Sequence, residues 1–434
     1  MRAAPYYPGQ KMSTTYVMSG DDASLHFDVN NLTPKQKEDD ESNKDLTGFL
    51  QMVLIGLGKP ADHVMMYDAF GVAPWPSRVE AFASFFRKMG IDPIPAEHRH
   101  LHPKVGFYDR IAAALPSTDS ITLYMTSGTN SVLHNDPKAY EVSRNVNSKF
   151  HFAANAPGFG IPVPETLVTT KGGLDSAEVL AFMDKYGHTV MLKTLGLAGA
   201  RNVTSVSSLD QAKAYVAEYD DSMAVLLQEK LDFSKWTEMT ADMIVTDKDI
   251  RITNFRKIMF ADGIWVGNLI GPDVDAEVTE LHRRKLIKIG EYARAQGHWA
   301  PEGLNCGVDY FIGDKDGFIV TEINCRWTGG LFPTEMIRKV GAEHETCVAF
   351  IGLVRHDKFD DYLKFVEKYL YKNGDGPFGV IPLGFSPIPQ DLPGGEHFFT
   401  WQVVPGDFEA FKKARREELG DGALAQSDSI SLAM

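Results

Sequence analysis

NCGVDYFIGDKDGFIVTEINCRWTGG, residues 305–330, holds two strand-like runs joined through Gly313-Asp-Lys-Asp-Gly317. Alternating apolar residues on both sides of a Gly/Asp-rich turn form the pattern of a β-hairpin. A turn centred on Lys315 sets Asp309 across from position 321, or from Glu322 if the pairing slips by one residue. A loop of this length leaves both registers open. In the second register Asp309 and Glu322 share a face. Asn324 joins them there, because side chains alternate along a strand. Two carboxylates set together repel, and that costs free energy. A divalent cation between them offsets the cost. Mg²⁺ takes hard oxygen ligands and keeps positions for phosphate oxygens. Cys306 and Cys325 then face each other on the opposite side and read as packing residues. Taken alone, the spacing fits a solvated hairpin with unrelated charges equally well.

A cation held against a triphosphate needs fixed positive charge beside it. Lys149 lies just before Gly160-Ile-Pro-Val-Pro-Glu-Thr166, an extended stretch stiffened by proline. Lys193 ends the apolar run TVMLK, directly before LGLAGARNV at 195–203. Gly196 and Gly199 make that run a flexible loop. A lysine at a strand end facing such a loop is placed to grip phosphate, with loop N–H groups adding their dipoles. Gln228-Glu229-Lys230-Leu231 closes a strand at 224–230, and an extended hinge can offer adenine one C=O and one N–H. Glu238, in Thr237-Glu-Met-Thr240, can bond ribose hydroxyls. Each of these residues alone is more simply a surface group. Their order along the chain carries the weight.

In that order the residues resemble the ATP-grasp superfamily. The matching elements are Lys149 before GIPVPET, Lys193 with its glycine loop, the hinge 228–231, the Glu238 segment, and the Glu322-Ile-Asn324-Cys-Arg326 core of the hairpin. They span roughly residues 145–340. The resemblance implies an α/β and α+β architecture, with two α+β lobes clasping ATP. A pre-ATP-grasp α/β domain at 1–145 precedes the ATP-grasp domain at 146–340, whose lid lobe is about 146–230, and a C-terminal appendage follows at 341–434. By position, Lys149, Lys193, Gly196 and Gly199 would bind the phosphates. Gln228, Glu229, Lys230 and Leu231 would hold adenine, Glu229 and Leu231 through their backbone, and Glu238 would hold ribose. Asp309, Glu322 and Asn324 would hold one or two Mg²⁺, for which Mn²⁺ can substitute. Arg326, with Lys193, would be catalytic, its planar guanidinium suited to the oxyanion of an acyl-phosphate. The loop after Lys193 departs from many relatives in lacking a tight Gly-Gly pair.

The implied activity is ATP-dependent joining of a carboxylate, an amino acid or peptide-like acid, to an amine through an acyl-phosphate, with release of ADP and phosphate. The flavour is that of stand-alone amino-acid or peptide ligases of natural-product pathways. Arg256, Arg201, Trp327 and the N–H groups of Gly329 and Gly330 are candidates for contacting the acid. Two other readings share the fold: a small-molecule kinase that stops after phosphoryl transfer, and a nucleotide-binding module without catalysis.

Composition sets the outer bounds. The chain has 434 residues, a length that suits two to four domains. Its net charge of −14 argues against a nucleic-acid partner, which needs a basic stripe. Three cysteines without zinc spacing fit a reduced compartment. No signal-like h-region or run of 18 apolar residues is visible, so a cytoplasmic protein without a membrane partner is expected. A homodimer is left open. In the first region, apolar runs at 52–57, 63–67 and 121–125 alternate with amphipathic stretches, as in an α/β layer. The charge-dense stretch 31–45 reads as a loop or the start of a solvated helix. His98 and His100, in EHRHLH, read as a solvated loop. After residue 341 the pattern is a helix near 357–371, Gly/Pro-rich connectors, and a charged helix at 407–418.

Overall fold

The computed structural model of the chain describes residues 13–195, 202–261, 264–372, 374–392 and 395–420, and three sheets organise these described residues. The first sheet is wholly parallel, in the order Arg99–His102, His63–Tyr67, Thr14–Val17, Ser120–Leu123. Parallel strands need crossover connections, and the intervening helices supply them. The run 52–57 is not a strand: it lies in the helix Gly48–Leu57, in which every residue is buried. With no solvated face the sequence has no helical period to show, and such a run cannot be told from a buried strand. The charge-dense stretch forms the helix Pro34–Leu46. A capping box on Thr33 and Gln36, with proline in the first turn, starts it.

The lid lobe carries a four-stranded antiparallel sheet in the order Thr166–Thr170, Ala224–Glu229, Val190–Lys193, Val203–Val206. Ala177–Lys185 and Leu209–Tyr215 are its helices, and both begin at a serine cap. Lid residues such as Val179, Leu192, Val225 and Leu227 form a separate small core.

The central sheet is antiparallel, in the order Gly317–Asn324, Leu304–Gly313, Trp236–Val245, Ile250–Ala261, Ile264–Ile270, Cys347–Arg355, Gly395–Pro405, Ile381–Phe385. The short strand Gln390–Leu392 pairs with Gly395–Pro405. The connector GDGPFGVIPLGF thus contains a strand. Its Pro382 is tolerated because the strand lies at the sheet edge. The strands after residue 341 share a core with the first region. Phe49 meets Trp401 at a ring-centroid distance of 4.8 Å, and Trp401 meets Phe332 at 5.8 Å. Among the described residues no helix is long and apolar enough to cross a membrane.

Candidate functional site

The hairpin adopts both registers that its sequence allows. Near the turn, Tyr310 pairs with Val320; beyond it, Asp309 pairs with Glu322 and Gly307 with Asn324. A bulge at Thr321 absorbs the difference, and the Thr321 hydroxyl donates to the Asp309 carbonyl at 3.1 Å. Asp309 and Glu322 therefore lie side by side. Asn324 bridges them: Nδ2 donates to Asp309 Oδ2 at 3.0 Å and to Glu322 Oε1 at 3.3 Å. Cys306 and Cys325 sit 3.5 Å apart, sulfur to sulfur, in the apolar core behind the strands.

Both lysines of the sequence reading reach this pair. Lys149 opens the helix Lys149–Asn155, whose N-cap is Ser148, and its Nζ lies 2.7 Å from Glu322 Oε2. Lys193, at the end of a lid strand, is 6% exposed, and its charge is felt by Glu322, Glu238 and Asp309. Burial pushes Lys193 down from its ordinary pKa, and those carboxylates resist the shift. Burial and the adjacent Glu322 push Asp309 up to about 7. Burial works to raise Glu322 as well, but Lys149 and Lys193 outweigh it and hold Glu322 ionised. Glu238 faces the same group rather than standing apart. Burial, then Asp309, raise it to about 8 against the pull of Lys193.

Three carboxylates thus meet two lysines on one face of the central sheet. The donor set of two carboxylates and an amide suits Mg²⁺, a hard cation that retains other oxygen ligands. It does not suit a structural zinc site. Among the described residues no cluster of three or more His, Cys, Asp or Glu side chains is arranged to hold a metal ion. As placed, Asn324 Oδ1 accepts from Arg326 Nη2 at 3.1 Å, so its amide would turn to ligate a cation.

Arg326 is held from several sides. Nη1 donates to Tyr124 Oη at 2.9 Å and to the Trp327 carbonyl at 3.2 Å, and Nη2 lies 3.4 Å from Asp22 Oδ1. Burial favours the neutral guanidine, but Tyr124, Asp22, Glu322 and Asp309 outweigh it and raise the Arg326 pKa. Asp22 and Tyr124 come from the first region and were not picked out from sequence. The available signal was Ser19-Gly-Asp-Asp22 just beyond the carboxyl end of a parallel strand, where α/β sheets place their ligands. His26 also reaches this corner. Burial, then the charge of Lys149, lower it to about 4.

The candidates for the acid fall in a different environment. Arg256 is 1% exposed and turned inward. It donates to Asp242 and Asn254, and through Nη2 to Thr240 Oγ1 at 3.3 Å. Asp242 also accepts from Asn305 at 3.0 Å and from Thr328 at 2.9 Å, while Asn305 donates to the Arg326 carbonyl at 2.7 Å. As placed, Arg256 holds the segment that follows Asn324 and leaves no face toward solvent. Gly330 lies flat against it: a Cβ there would come within 2.2 Å of Arg256 Nε. Trp327 is buried on Phe332, with ring centroids 4.9 Å apart. Gly329 packs on Trp265 and, with Gly330, leads into the helix Leu331–Lys339. Gly196, Gly199 and Arg201 lie outside the described residues.

The hinge is ordered by its neighbours. Gln228 is buried and donates to Thr166 Oγ1 at 2.9 Å. The Glu229 N–H is committed to the Glu165 carbonyl at 2.9 Å. Lys230 Nζ donates to Ser205 at 3.0 Å, and Leu231 is buried.

No family model and no curated protein matches the chain by sequence. Solved structures do match in fold. A carboxyaminoimidazole ribonucleotide synthase from Aspergillus clavatus, complexed with ATP, aligns at a TM-score of 0.54 and 13% identity, over 96% of this chain and 99% of that one. A phosphoribosylamine–glycine ligase from Thermotoga maritima aligns at 0.55 and 13% identity, over 95% and 98%. A biotin carboxylase–β,γ-ATP complex from Campylobacter jejuni aligns at 0.55 and 12% identity, over 94% and 92%. These likenesses run through nearly the whole of both chains, and they agree with the parallel first sheet, the lid sheet and the central sheet in assigning the ATP-grasp fold.

Proposed function

We propose that the chain is an ATP- and Mg²⁺-dependent ligase that joins a carboxylic acid to an amine. The observation that carries the proposal is the meeting of Lys149 from one helix, Lys193 from the lid sheet, and Asp309, Glu322 and Asn324 from the hairpin. Two of the neighbouring structures were solved with ATP or a β,γ-ATP, which supports a nucleotide between the two sheets.

A carboxylate oxygen is a poor leaving group. Attack by the acid's oxygen on the γ-phosphorus of ATP releases ADP and turns that oxygen into part of a phosphate. The amine nitrogen then attacks the acyl carbon, loses a proton, and phosphate departs with its bonding electron pair. The protein's task is positioning and charge neutralisation. Lys149 and Lys193 offset the charge of the phosphates. The hinge 228–231 offers backbone groups to adenine, and Glu238 lies close enough to the same cluster to meet ribose or cation. Asp309, Glu322 and Asn324 would hold Mg²⁺, which when bound neutralises phosphate oxygens. Arg326, anchored by Tyr124 and Asp22, presents its guanidinium where the acyl-phosphate oxyanion would lie. The lid lobe would exclude water that otherwise hydrolyses the intermediate. The first region and the strands after residue 341 would shape the choice of acid and amine. An amino-acid or peptide-like acid, and a cytoplasmic setting, complete the reading.

The test is an ADP-release screen over pairs of amino acids with Mg²⁺, followed by mass measurement of product. A ligase releases phosphate only when acid and amine are both present. ADP with a stable phosphorylated product from one substrate would instead indicate a kinase. No turnover with any pair, together with unaltered nucleotide binding, would leave only a binding module.

A further inference from the structure

The helix Pro34–Leu46 reads from sequence as a solvated, charge-dense stretch without chemistry, yet it touches two parts of the machinery. Its first half meets the lid lobe. Tyr219 Oη donates to Asp39 Oδ2 at 3.4 Å, and Asp39 is braced by Lys35 at 3.0 Å. Tyr215 lies beside Asp39 and Lys35, and Glu218 beside Lys35. The lid turn that carries Tyr219 is fixed to the lid sheet, because Lys171 Nζ donates to the carbonyls of Ala217 at 3.1 Å and Tyr219 at 2.6 Å. Tyr219 therefore moves with the lid.

The second half of the helix meets the segment that anchors Arg326. Asn43 Nδ2 donates to the Gly20 carbonyl at 3.1 Å and to Asp22 Oδ2 at 3.0 Å, and Asp22 Oδ1 faces Arg326 at 3.4 Å. Gly20 permits this approach: a Cβ there would lie 2.6 Å from Asn43 Nδ2. Asn43 is 2% exposed and Asp40 5%, so this inner face is packed although the helix as a whole is polar. Arg326 in turn holds Asn324, which spans Asp309 and Glu322.

We propose that this helix is a latch: it holds the lid lobe down through Asp39 and Tyr219 and, through Asn43 and Asp22, ties the position of the lid to Arg326. The first clause rests on contacts alone; the second takes its catalytic meaning from the ligase reading. Asn43 and Asp22 are then positioning residues, and neither needs to touch substrate.

Hydrogen exchange on the full chain without nucleotide tests the latch independently of any activity. Tyr219→Phe and Asp39→Ala should each speed exchange in lid peptides covering 203–223 by about three- to tenfold, the size expected when one hydrogen bond of this kind is lost. The double variant should be no faster than the faster single variant, because both remove the same contact. Asn43→Ala, which removes the bonds to Gly20 and Asp22, should speed the same lid peptides, while strands 304–324 exchange as in wild type. Lid exchange at the wild-type rate in Tyr219→Phe and Asp39→Ala would overturn the latch. Faster exchange confined to residues 19–46 in Asn43→Ala would overturn the tie to Arg326. If Mg·ATP fails to bind at all, the ligase reading falls while the exchange result still stands. If Mg·ATP binds and lid exchange is unmoved in every variant, the latch falls alone.

Discussion

Two polar clusters, one buried and one half-buried, lie on one face of the central sheet, two residues apart along the strand Trp236–Val245, and they are built on opposite principles. Asp242 faces Gly307 across the strands, and Thr240 faces Asp309. In the first cluster one carboxylate meets one guanidinium, and both Asp242 oxygens are satisfied by Arg256, Asn305 and Thr328. In the second, Glu238, Asp309 and Glu322 meet Lys149 and Lys193, leaving one carboxylate in excess and two of the three pushed upward in pKa. A closed cluster holds a fold together; under the proposed function the unbalanced one awaits a charge that arrives with a ligand.

The contrast can be broken most forcefully at Asp242. Asp242→Ala strands a buried guanidinium, and about 3–5 kcal/mol of stability should be lost, read from the urea midpoint. A shift below about 1 kcal/mol would mean that Arg256 finds water or another partner. Asp309→Asn should behave in the opposite way. Burial and the adjacent Glu322 already disfavour the Asp309 charge, so stability should hold or rise slightly as that repulsion is relieved, while ADP release falls about 100- to 1000-fold. An Asp309→Asn protein with full turnover would break the assignment of the open cluster.

Ligand binding sharpens the contrast next. Mg·ATP at about 100 times its Kd should raise the unfolding free energy by about 2.7 kcal/mol. EDTA or Glu322→Gln should remove most of that gain in a thermal-shift assay, and a gain that survives EDTA would place the cation elsewhere. The smallest effect is in pH. Glu238 has a folded-state pKa of about 8, above its unfolded value. From about pH 4.5 to 8 the folded chain keeps a proton that the unfolded chain has lost, so stability falls as pH rises through that window. Between pH 6.5 and 8, metal-free wild type should lose about 1.5 kcal/mol relative to Glu238→Gln. Parallel stability curves for the two proteins would show that Glu238 is solvated.

The hairpin was the most legible part of the chain because its information is local: alternation, a turn, and two acids at matching distance from it. The bulge at Thr321, which realises both registers at once, left no mark that spacing could show. Strands with clear flanks, such as Val190–Lys193 and Ile264–Ile270, were readable for the same local reason. The helix Gly48–Leu57 was not, since total burial erases its period. Nor was Ile381–Phe385, where a proline at a sheet edge looks like a connector. Within the site, the fates of Arg256 and Arg326 could not be separated from sequence. One is closed off by Asp242 and the other braced by Tyr124 and Asp22, and both outcomes are decided by residues far away along the chain. The helix Pro34–Leu46 was passed over because composition reports its wet face and not the packed Asp40 and Asn43.

Crystals grown with Mn²⁺ and a non-hydrolysable ATP analogue would give the most direct answer through anomalous scattering. An anomalous peak within coordination distance of Asp309 and Glu322, touching the terminal phosphates and flanked by Lys149 and Lys193, is the expected result. A bound nucleotide with no peak between those two carboxylates, or with its phosphates turned away from both lysines, would contradict it.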